Sequence, residues 1–163
     1  MKICLAGEGA FGNKHLDALA GIEDVEVVSL VGGVAEETRR VADERGIPHW
    51  SLDLKDGLSQ PGVEAVILAT PTPLHASQAM DALRLGKHVL VEIPMADNLK
   101  DAEALVALQR ETGLVAMAGH VRRFNPSHQW INERIAGGEL SIQQLNVQTY
   151  FFRRSNLNAL GEP

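Results

Sequence analysis

The amino-acid sequence predicts an α/β protein, a doubly wound parallel sheet followed by the start of a second α+β domain. Three observations predict this fold class. Short apolar runs alternate with amphipathic helical segments up to residue 118. A glycine-rich turn, Gly7-Glu8-Gly9-Ala10-Phe11-Gly12, follows the first apolar run and opens the first helix. Beyond Gly119 the regular alternation stops, which indicates the end of the first domain.

The elements of the first domain follow from hydrophobic period, capping residues and breakers. The predicted order is strand 2–6, helix 10–19, strand 25–31, helix 35–44, strand 49–50, helix 53–58, strand 63–69, helix 74–85, strand 89–92, helix 98–113 and strand 114–118. The strands are continuously apolar, as parallel strands buried on both faces should be. Glycines at 46, 86 and 113 end three of the helices. Right-handed crossovers between such strands give a doubly wound sheet.

The remaining residues predict a different arrangement. Asn125 caps and Pro126 starts a helix that ends at Gly137-Gly138. Residues 145–152 alternate between apolar and mostly polar side chains, which predicts a strand of a second, antiparallel sheet. We therefore divide the chain into domains 1–120 and 121–163, the latter a truncated fragment of a second domain. Because an unpaired strand edge invites pairing, a homo-oligomer through this second sheet is expected.

Composition and charge exclude several function classes. Of the 163 residues, 45% are hydrophobic and 4% aromatic, which predicts an aliphatic core. The net charge of −6 argues against nucleic acid as a partner. Residues 121–163 nevertheless hold 5 Arg against 3 Glu and are expected to meet anions. No signal peptide or membrane span is recognised, and the single cysteine, Cys4, lies in an apolar strand, so a cytoplasmic protein without a membrane partner is expected.

The glycine-rich turn has the spacing of a Rossmann dinucleotide-binding site. Gly7 would allow the tight turn, Gly9 the close approach of backbone to a pyrophosphate, and Gly12 the packing of helix against strand. Ala10 and Phe11 begin the helix, whose N–H groups would face the phosphates. The motif alone is weak, and a tight turn without a ligand is the alternative. Its place in the first strand–helix unit favours the dinucleotide.

The end of the second strand bears on the choice between NAD and NADP. An acid there binds the ribose hydroxyls of NAD and repels the extra phosphate of NADP. This chain has Gly32 and Gly33 instead, which favours NADP, with NAD possible. No arginine stands at positions 32–34 to bind that phosphate. Arg39 and Arg40 come a helical turn later, where a solvated helix face is the more ordinary interpretation.

Polar residues follow three later strands at the edge where open α/β sheets bind ligands. The rigid loop Thr70-Pro71-Thr72 and His75 follow the fourth strand and are expected to line the cofactor. Local hydrogen bonding near a helix terminus is an equally good interpretation of His75. Glu92 ends the fifth strand and is expected to contact the nicotinamide ribose. His120, just past the sixth strand, is either a site residue or a structural one.

Four motifs recur in this order in one known family: AVILAT at 65–70, the Thr-Pro loop with His75, GKHV at 86–89 and VEIP at 91–94. On these residues the chain resembles the glucose–fructose oxidoreductase/inositol dehydrogenase/MocA family. The resemblance implies an NAD(P)-dependent dehydrogenase with a Rossmann domain and a second α/β domain that covers the substrate. The family's usual Glu-Lys-Pro is here Glu92-Ile93-Pro94, and isoleucine cannot transfer a proton. Ile93 is still expected beside the cofactor.

Two longer segments, 119–129 and 147–154, resemble one subfamily, the 4-carboxy-2-hydroxymuconate-6-semialdehyde dehydrogenases of protocatechuate 4,5-cleavage in aromatic degradation. The resemblance implies NADP-dependent oxidation of a cyclic hemiacetal to 2-pyrone-4,6-dicarboxylate. A hemiacetal hydroxyl is more acidic than an ordinary alcohol, so a histidine or water could replace the lysine. The substrate is a small dicarboxylate, and arginine presents planar, bidentate donors to carboxylates.

The site residues implied by the resemblance fall into three groups. His120 and Glu92 are the expected catalytic residues. Arg122 is expected to touch both cofactor and substrate, and interdomain salt bridges are the alternative for it and Arg123. Expected substrate ligands are Arg122, Arg123, Tyr150 and Arg153. No metal site is expected. The competing hypotheses are a dinucleotide-binding module, inactive alone because its second domain is missing, and an assembly fragment; we expect the 163-residue chain to bind without turnover.

Overall fold

The computed structural model describes residues 1–148 and 150. The chain divides into two compact units, Met1–Gly119 and His120–Pro163. The strands of the first unit are β1 (Lys2–Ala6), β2 (Glu26–Val31), β3 (His49–Ser51), β4 (Val63–Leu68), β5 (His88–Val91) and β6 (Ala116–Ala118). Its helices are α1 (Ala10–Leu19), α2 (Ala35–Arg45), α3 (Leu54–Leu58), α4 (Thr72–Arg84) and α5 (Leu99–Thr112).

The six strands form one parallel sheet in the order β3-β2-β1-β4-β5-β6. The chain runs outward from the centre twice, first from β1 to β3 and then from β4 to β6. The connections of the neighbouring strands β1 and β4 therefore leave in opposite directions. In open α/β sheets, ligands bind at the carboxyl ends of the strands at such a point. The predicted doubly wound fold is confirmed.

The core lies on both faces of the sheet and is aliphatic. Successive residues of β1 alternate between two apolar clusters, with Cys4 and Ala6 in one and Ile3 and Leu5 in the other. Both faces are therefore covered by helices, as a parallel sheet requires. Cys4 has no exposed surface, and this burial raises the pKa of its thiol to about 12. The thiol is a core group with little thiolate character.

Local signals set most element ends to within one residue of the prediction, and two ends differ from it by two residues. Helix α4 begins at Thr72 rather than Leu74, because Pro73 falls in the first turn, where a missing N–H costs no helical hydrogen bond. Strand β6 begins at Ala116 rather than Leu114. The carbonyl of Leu114 accepts a hydrogen bond from the Gln109 side-chain amide at 2.8 Å, which holds that residue in the loop.

The second unit contains a 3-10 turn, Val121–Phe124, and helix α6, Pro126–Ala136. Asn125 caps α6, its side-chain oxygen accepting from the Ser127 N–H at 3.0 Å, as predicted. The prediction of a strand is wrong for residues 145–148, which form no strand. A strand is held by the hydrogen-bond ladder of a neighbour, and residues 145–148 have no such ladder. The rest of that predicted strand, apart from residue 150, lies outside the described residues. Over residues 1–148, no helix is long and apolar enough to cross a membrane.

Candidate functional site

The glycine-rich turn sits at the carboxyl end of β1, between β2 and β4. The Gly7 N–H donates to the Val31 carbonyl at 2.7 Å, and the Ala69 N–H donates to the Ala6 carbonyl at 2.8 Å. Gly7 has a φ of +110°, and a Cβ there would overlap the Ala69 carbonyl. A Cβ at Gly12 would overlap the Gly7 carbonyl, so α1 packs directly on the turn. The fold itself requires these two glycines.

Gly9 is different, because nothing in the first unit requires it. Its φ of −71° suits any residue, and no atom lies within 4 Å of the place a Cβ would occupy. The position faces open space at the start of α1, whose first turn has no side-chain cap. Ala10 and Phe11 are both exposed there. An open approach to uncapped N–H groups is what a dinucleotide pyrophosphate needs, so the turn fits that group.

The loop after β4 is tied to the loop after β5 by His75. The imidazole is only 2% exposed, and its Nδ1 and Nε2 lie 2.7 Å from the carbonyl oxygens of Pro94 and Thr70. Carbonyl oxygens only accept, so both ring nitrogens are directed at protein acceptors. His75 therefore makes the local hydrogen bonds of the alternative interpretation, and its contact with a cofactor stays a prediction. Pro71 and Thr72 are partly buried at the start of α4 beside it.

Glu92 lies at the carboxyl end of β5 and is held by a residue that sequence reasoning missed. Its Oε1 is 2.8 Å from Nε2 of His15, and the two side chains are 12% and 19% exposed. His15 precedes Leu16, which is buried on the face of α1 that packs on the sheet. A polar residue next to this apolar face was the sequence signal that could have indicated the contact. A Cβ at Gly119 would lie 3.2 Å from the carboxylate, so this glycine leaves room for it. The adjacent Ile93 is 46% exposed.

Removing either member of the His15–Glu92 pair should destabilise the first unit. We expect His15→Ala to lower the free energy of unfolding by about 1–3 kcal/mol, because a mostly buried carboxylate loses its hydrogen-bond partner. Urea unfolding of the wild type, His15→Ala, Glu92→Ala and the double variant gives the coupling energy. We expect at least ~1 kcal/mol, and free-energy losses that simply add would contradict the interaction.

Glu8, inside the turn, reaches the end of β2. Its Oε1 accepts from the N–H groups of Gly33 at 2.8 Å and Val34 at 3.1 Å. The Thr38 hydroxyl lies 3.3 Å from the same oxygen and 2.8 Å from the Val34 carbonyl. A Cβ at Gly32 would lie 2.7 Å from the Glu8 carboxyl carbon and would overlap the Thr38 hydroxyl. The unusual acid in the turn and the unusual glycine after β2 therefore fit each other. The glycines after β2 were apparent from the sequence, whereas their contact with Glu8 was not.

The two arginines of α2 are engaged in ion pairs along their own helix. Arg40 contacts Glu37 at 2.5 Å and Glu44 at 2.6 Å, and Arg39 lies 3.6 Å from Asp43. The hydrogen bond from Arg40 lowers the pKa of the Glu37 carboxyl. All five side chains are largely exposed. This is the solvated helix face that the sequence offered as the ordinary interpretation.

The other predicted site residues belong to the second unit. His120 precedes the 3-10 turn and Arg122 and Arg123 lie within it, all three exposed. Tyr150 is 88% exposed, and Arg153 lies outside the described residues. Their roles stay predictions. Among the described residues, no group of three or more His, Cys, Asp or Glu side chains could hold a metal ion.

Two family models match the chain. Residues 1–120 match an oxidoreductase family with an NAD-binding Rossmann fold, and residues 126–163 match a C-terminal domain of bacterial oxidoreductases. The chain is 56% identical to a 4-carboxy-2-hydroxymuconate-6-semialdehyde dehydrogenase of Sphingobium sp. over all 163 residues, which cover 52% of that protein. It is 31% identical to a scyllo-inositol 2-dehydrogenase (NAD(+)) of Bacillus subtilis, over 86% of this chain and 41% of that protein.

A solved structure shares the fold. The scyllo-inositol dehydrogenase of Lactobacillus casei, crystallised with NAD(H) and scyllo-inositol, superposes with a TM-score of 0.81 at 25% identity. The match covers 85% of this chain and 42% of that one, so this chain spans about half the length of its relatives. The family model covers most of the chain and includes every element of the parallel sheet. The chain therefore belongs to the oxidoreductase family with the NAD-binding Rossmann fold.

Proposed function

We propose that this chain is the cofactor-binding part of a nicotinamide-dependent dehydrogenase. Its proposed substrate is the cyclic hemiacetal of 4-carboxy-2-hydroxymuconate-6-semialdehyde, and the product is 2-pyrone-4,6-dicarboxylate. The observation that carries the dinucleotide site is the open, uncapped approach at Gly9, framed by two glycines that the fold itself requires. The substrate is proposed from the 56% identity to a dehydrogenase of that name, which extends over the whole chain.

The proposed oxidation balances simply. The ring carbon of the hemiacetal loses a hydride, its hydroxyl loses a proton, and the carbon–oxygen bond becomes the lactone carbonyl. A bound nicotinamide supplies the acceptor for the hydride. Ile93 cannot take the proton, and the acidity of a hemiacetal hydroxyl lowers the demand on the base. We propose that Glu92, positioned by His15, contacts the nicotinamide ribose and that His120 receives the proton.

The substrate's two carboxylates require cationic partners. Arg122 and Arg123 are adjacent in an exposed 3-10 turn, and guanidinium groups bind carboxylates in a bidentate manner. We propose these two residues as substrate ligands, together with Tyr150 and Arg153. Assembly of the full-length protein into a homo-oligomer and a cytoplasmic location are proposed with the same function.

The sequence predicts NADP as cofactor because no acid follows β2. The carboxylate of Glu8 lies at that place, bound to the amides of Gly33 and Val34. This contact weakens the argument from the missing acid, while the resemblance to NADP-dependent dehydrogenases still supports NADP. The cofactor proposed here is therefore NAD or NADP, without a choice between them.

The test has two stages with the 163-residue chain. Titration with NAD⁺ and with NADP⁺, followed by protein fluorescence, should show saturable binding of at least one dinucleotide. Addition of the hemiacetal substrate, followed by the absorbance of the reduced nicotinamide, then measures turnover. Binding without turnover is the expected result for this chain. Binding with turnover would support the proposed substrate but contradict the expectation that the chain is inactive alone, and binding of neither dinucleotide contradicts the proposal.

A further inference from the structure

We propose that Glu8 is the acid that recognises the adenosine ribose, and that it makes this chain select NAD over NADP. The inference rests on the proposed function, because it requires a dinucleotide in the glycine-rich turn. It assigns to a residue of the turn the task that an Asp or Glu at the end of the second strand performs in other dinucleotide-binding domains.

The first step is the position of the carboxylate. Glu8 follows β1, yet its Oε1 is bonded to Gly33 and Val34, the residues between β2 and α2. This is the end of the strand at which the ribose hydroxyls are recognised in the fold. A side chain at position 32 has no room, because a Cβ there would lie 2.7 Å from the Glu8 carboxyl carbon. Because residue 32 is glycine, the carboxylate of Glu8, which follows the neighbouring strand β1, fits at the end of β2.

The second step is the hydrogen-bonding capacity of that carboxylate. The N–H groups of Gly33 and Val34 both bind Oε1, and the Thr38 hydroxyl, which also donates to the Val34 carbonyl at 2.8 Å, lies 3.3 Å from the same oxygen. Among the described residues, Oε2 receives no hydrogen bond and keeps its lone pairs for further donors. Ribose hydroxyls are donors of the required kind. The fixed Oε1 holds the group in place, so little side-chain entropy remains to be lost when the ribose binds.

The third step is the charge that a phosphate would meet beside Glu8. The N–H groups of Gly33 and Val34, which could otherwise receive an anion at the start of α2, already donate to Glu8. Arg39 and Arg40 are paired with carboxylates of their own helix. The 2′-phosphate of NADP would therefore meet a carboxylate, and like charges brought together at a binding site cost affinity.

If Glu8 has only a structural role, in which its carboxylate caps the N-terminus of α2, a different result is expected. Loss of a cap weakens the helix and so affects NAD⁺ and NADP⁺ binding equally. Ribose recognition instead changes the ratio of the two dissociation constants. Glu8→Gln is the suitable variant, because it keeps the size and one acceptor oxygen while removing the charge. Glu36→Gln, in the first turn of the same helix, removes an equal charge outside the hydrogen bonds of Glu8 and is the matched control.

Calorimetric titration of the wild type, Glu8→Gln and Glu36→Gln with NAD⁺ and NADP⁺ tests the inference. We expect the wild type to bind NAD⁺ at least about tenfold more tightly than NADP⁺. Glu8→Gln should reduce that ratio by at least about fivefold, chiefly through tighter NADP⁺ binding, while Glu36→Gln changes it less than about twofold. Should Glu8→Gln fail to fold, the wild type alone decides through AMP and adenosine 2′,5′-bisphosphate, of which AMP should bind more tightly.

Two outcomes overturn the inference while the proposed function stands. One is a wild type that binds NADP⁺, or adenosine 2′,5′-bisphosphate, as tightly as its unphosphorylated counterpart or more tightly. The other is a ratio that Glu8→Gln leaves unchanged, which is the result of a cap alone. Binding of neither dinucleotide contradicts the proposed function and this inference together.

Discussion

Replacing Gly9 by valine is expected to weaken dinucleotide binding at least about 100-fold while the chain stays folded. The backbone at Gly9 is ordinary, and no atom lies within 4 Å of the place a Cβ would take. The added side chain would fill the space through which the pyrophosphate must approach the N–H groups of α1. Because valine is a poor N-cap, the free energy of unfolding should fall by no more than about 1 kcal/mol.

The measurement combines a calorimetric titration with NAD⁺ and NADP⁺ and a urea unfolding curve on the same preparation. Gly21→Val is the matched control, since Gly21 lies just beyond the other end of α1 and a Cβ there would meet only the Ala18 carbonyl, at 3.7 Å. That variant should bind as the wild type does. Dinucleotide binding by Gly9→Val within threefold of the wild type, about 0.65 kcal/mol, would show that the turn is only structural.

Gly12→Val is expected to act on stability instead, lowering the free energy of unfolding by at least about 3 kcal/mol. A Cβ at this position overlaps the carbonyl of Gly7, a residue whose N–H is hydrogen-bonded to the Val31 carbonyl. The clash is with backbone on both sides, so no side-chain rotation relieves it. Helix α1 would have to move away from the turn and from the sheet beneath it, where Leu16 is buried.

Urea unfolding monitored by circular dichroism measures this loss, with Gly21→Val again as the control in the same region. The slope of the transition should stay unchanged if the variant remains two-state. A Gly12→Val chain of wild-type stability would disprove the backbone contact between the turn and α1. Two glycines three residues apart are thus expected to separate binding from folding.

The order and type of the elements in the first unit were predictable because every local signal agrees with the global fold. Continuous apolar strands, glycine ends and the Asn98 cap all lie where the structure has them. The strand predicted over residues 145–148 is the instructive error. The alternation of apolar and polar residues indicates which face of a strand would be buried. A strand also needs the hydrogen bonds of a neighbouring strand, which this pattern does not indicate.

At the site, the sequence predicts the residues that belong to a local motif. It misses the side-chain contacts between residues that are far apart in the chain. Gly7, Gly9 and Gly12 follow from one local motif. The contact of Glu8 with Gly33 and that of His15 with Glu92 join residues 25 and 77 positions apart, from different strand–helix units. Side-chain direction at such distances is set by the packing of the sheet, which single-sequence patterns do not encode.

The central place of β1 between β2 and β4 has a consequence for synthesis of the chain. The glycine-rich turn leaves the ribosome before Val31 and Ala69, the residues whose contacts shape it. Until β4 has been made and has paired with β1, the turn has no wall on one side. The chain can therefore bind a dinucleotide only after this long-range pairing. The ligand can stabilise the assembled sheet, but it cannot assist the earlier pairing of the first three strands.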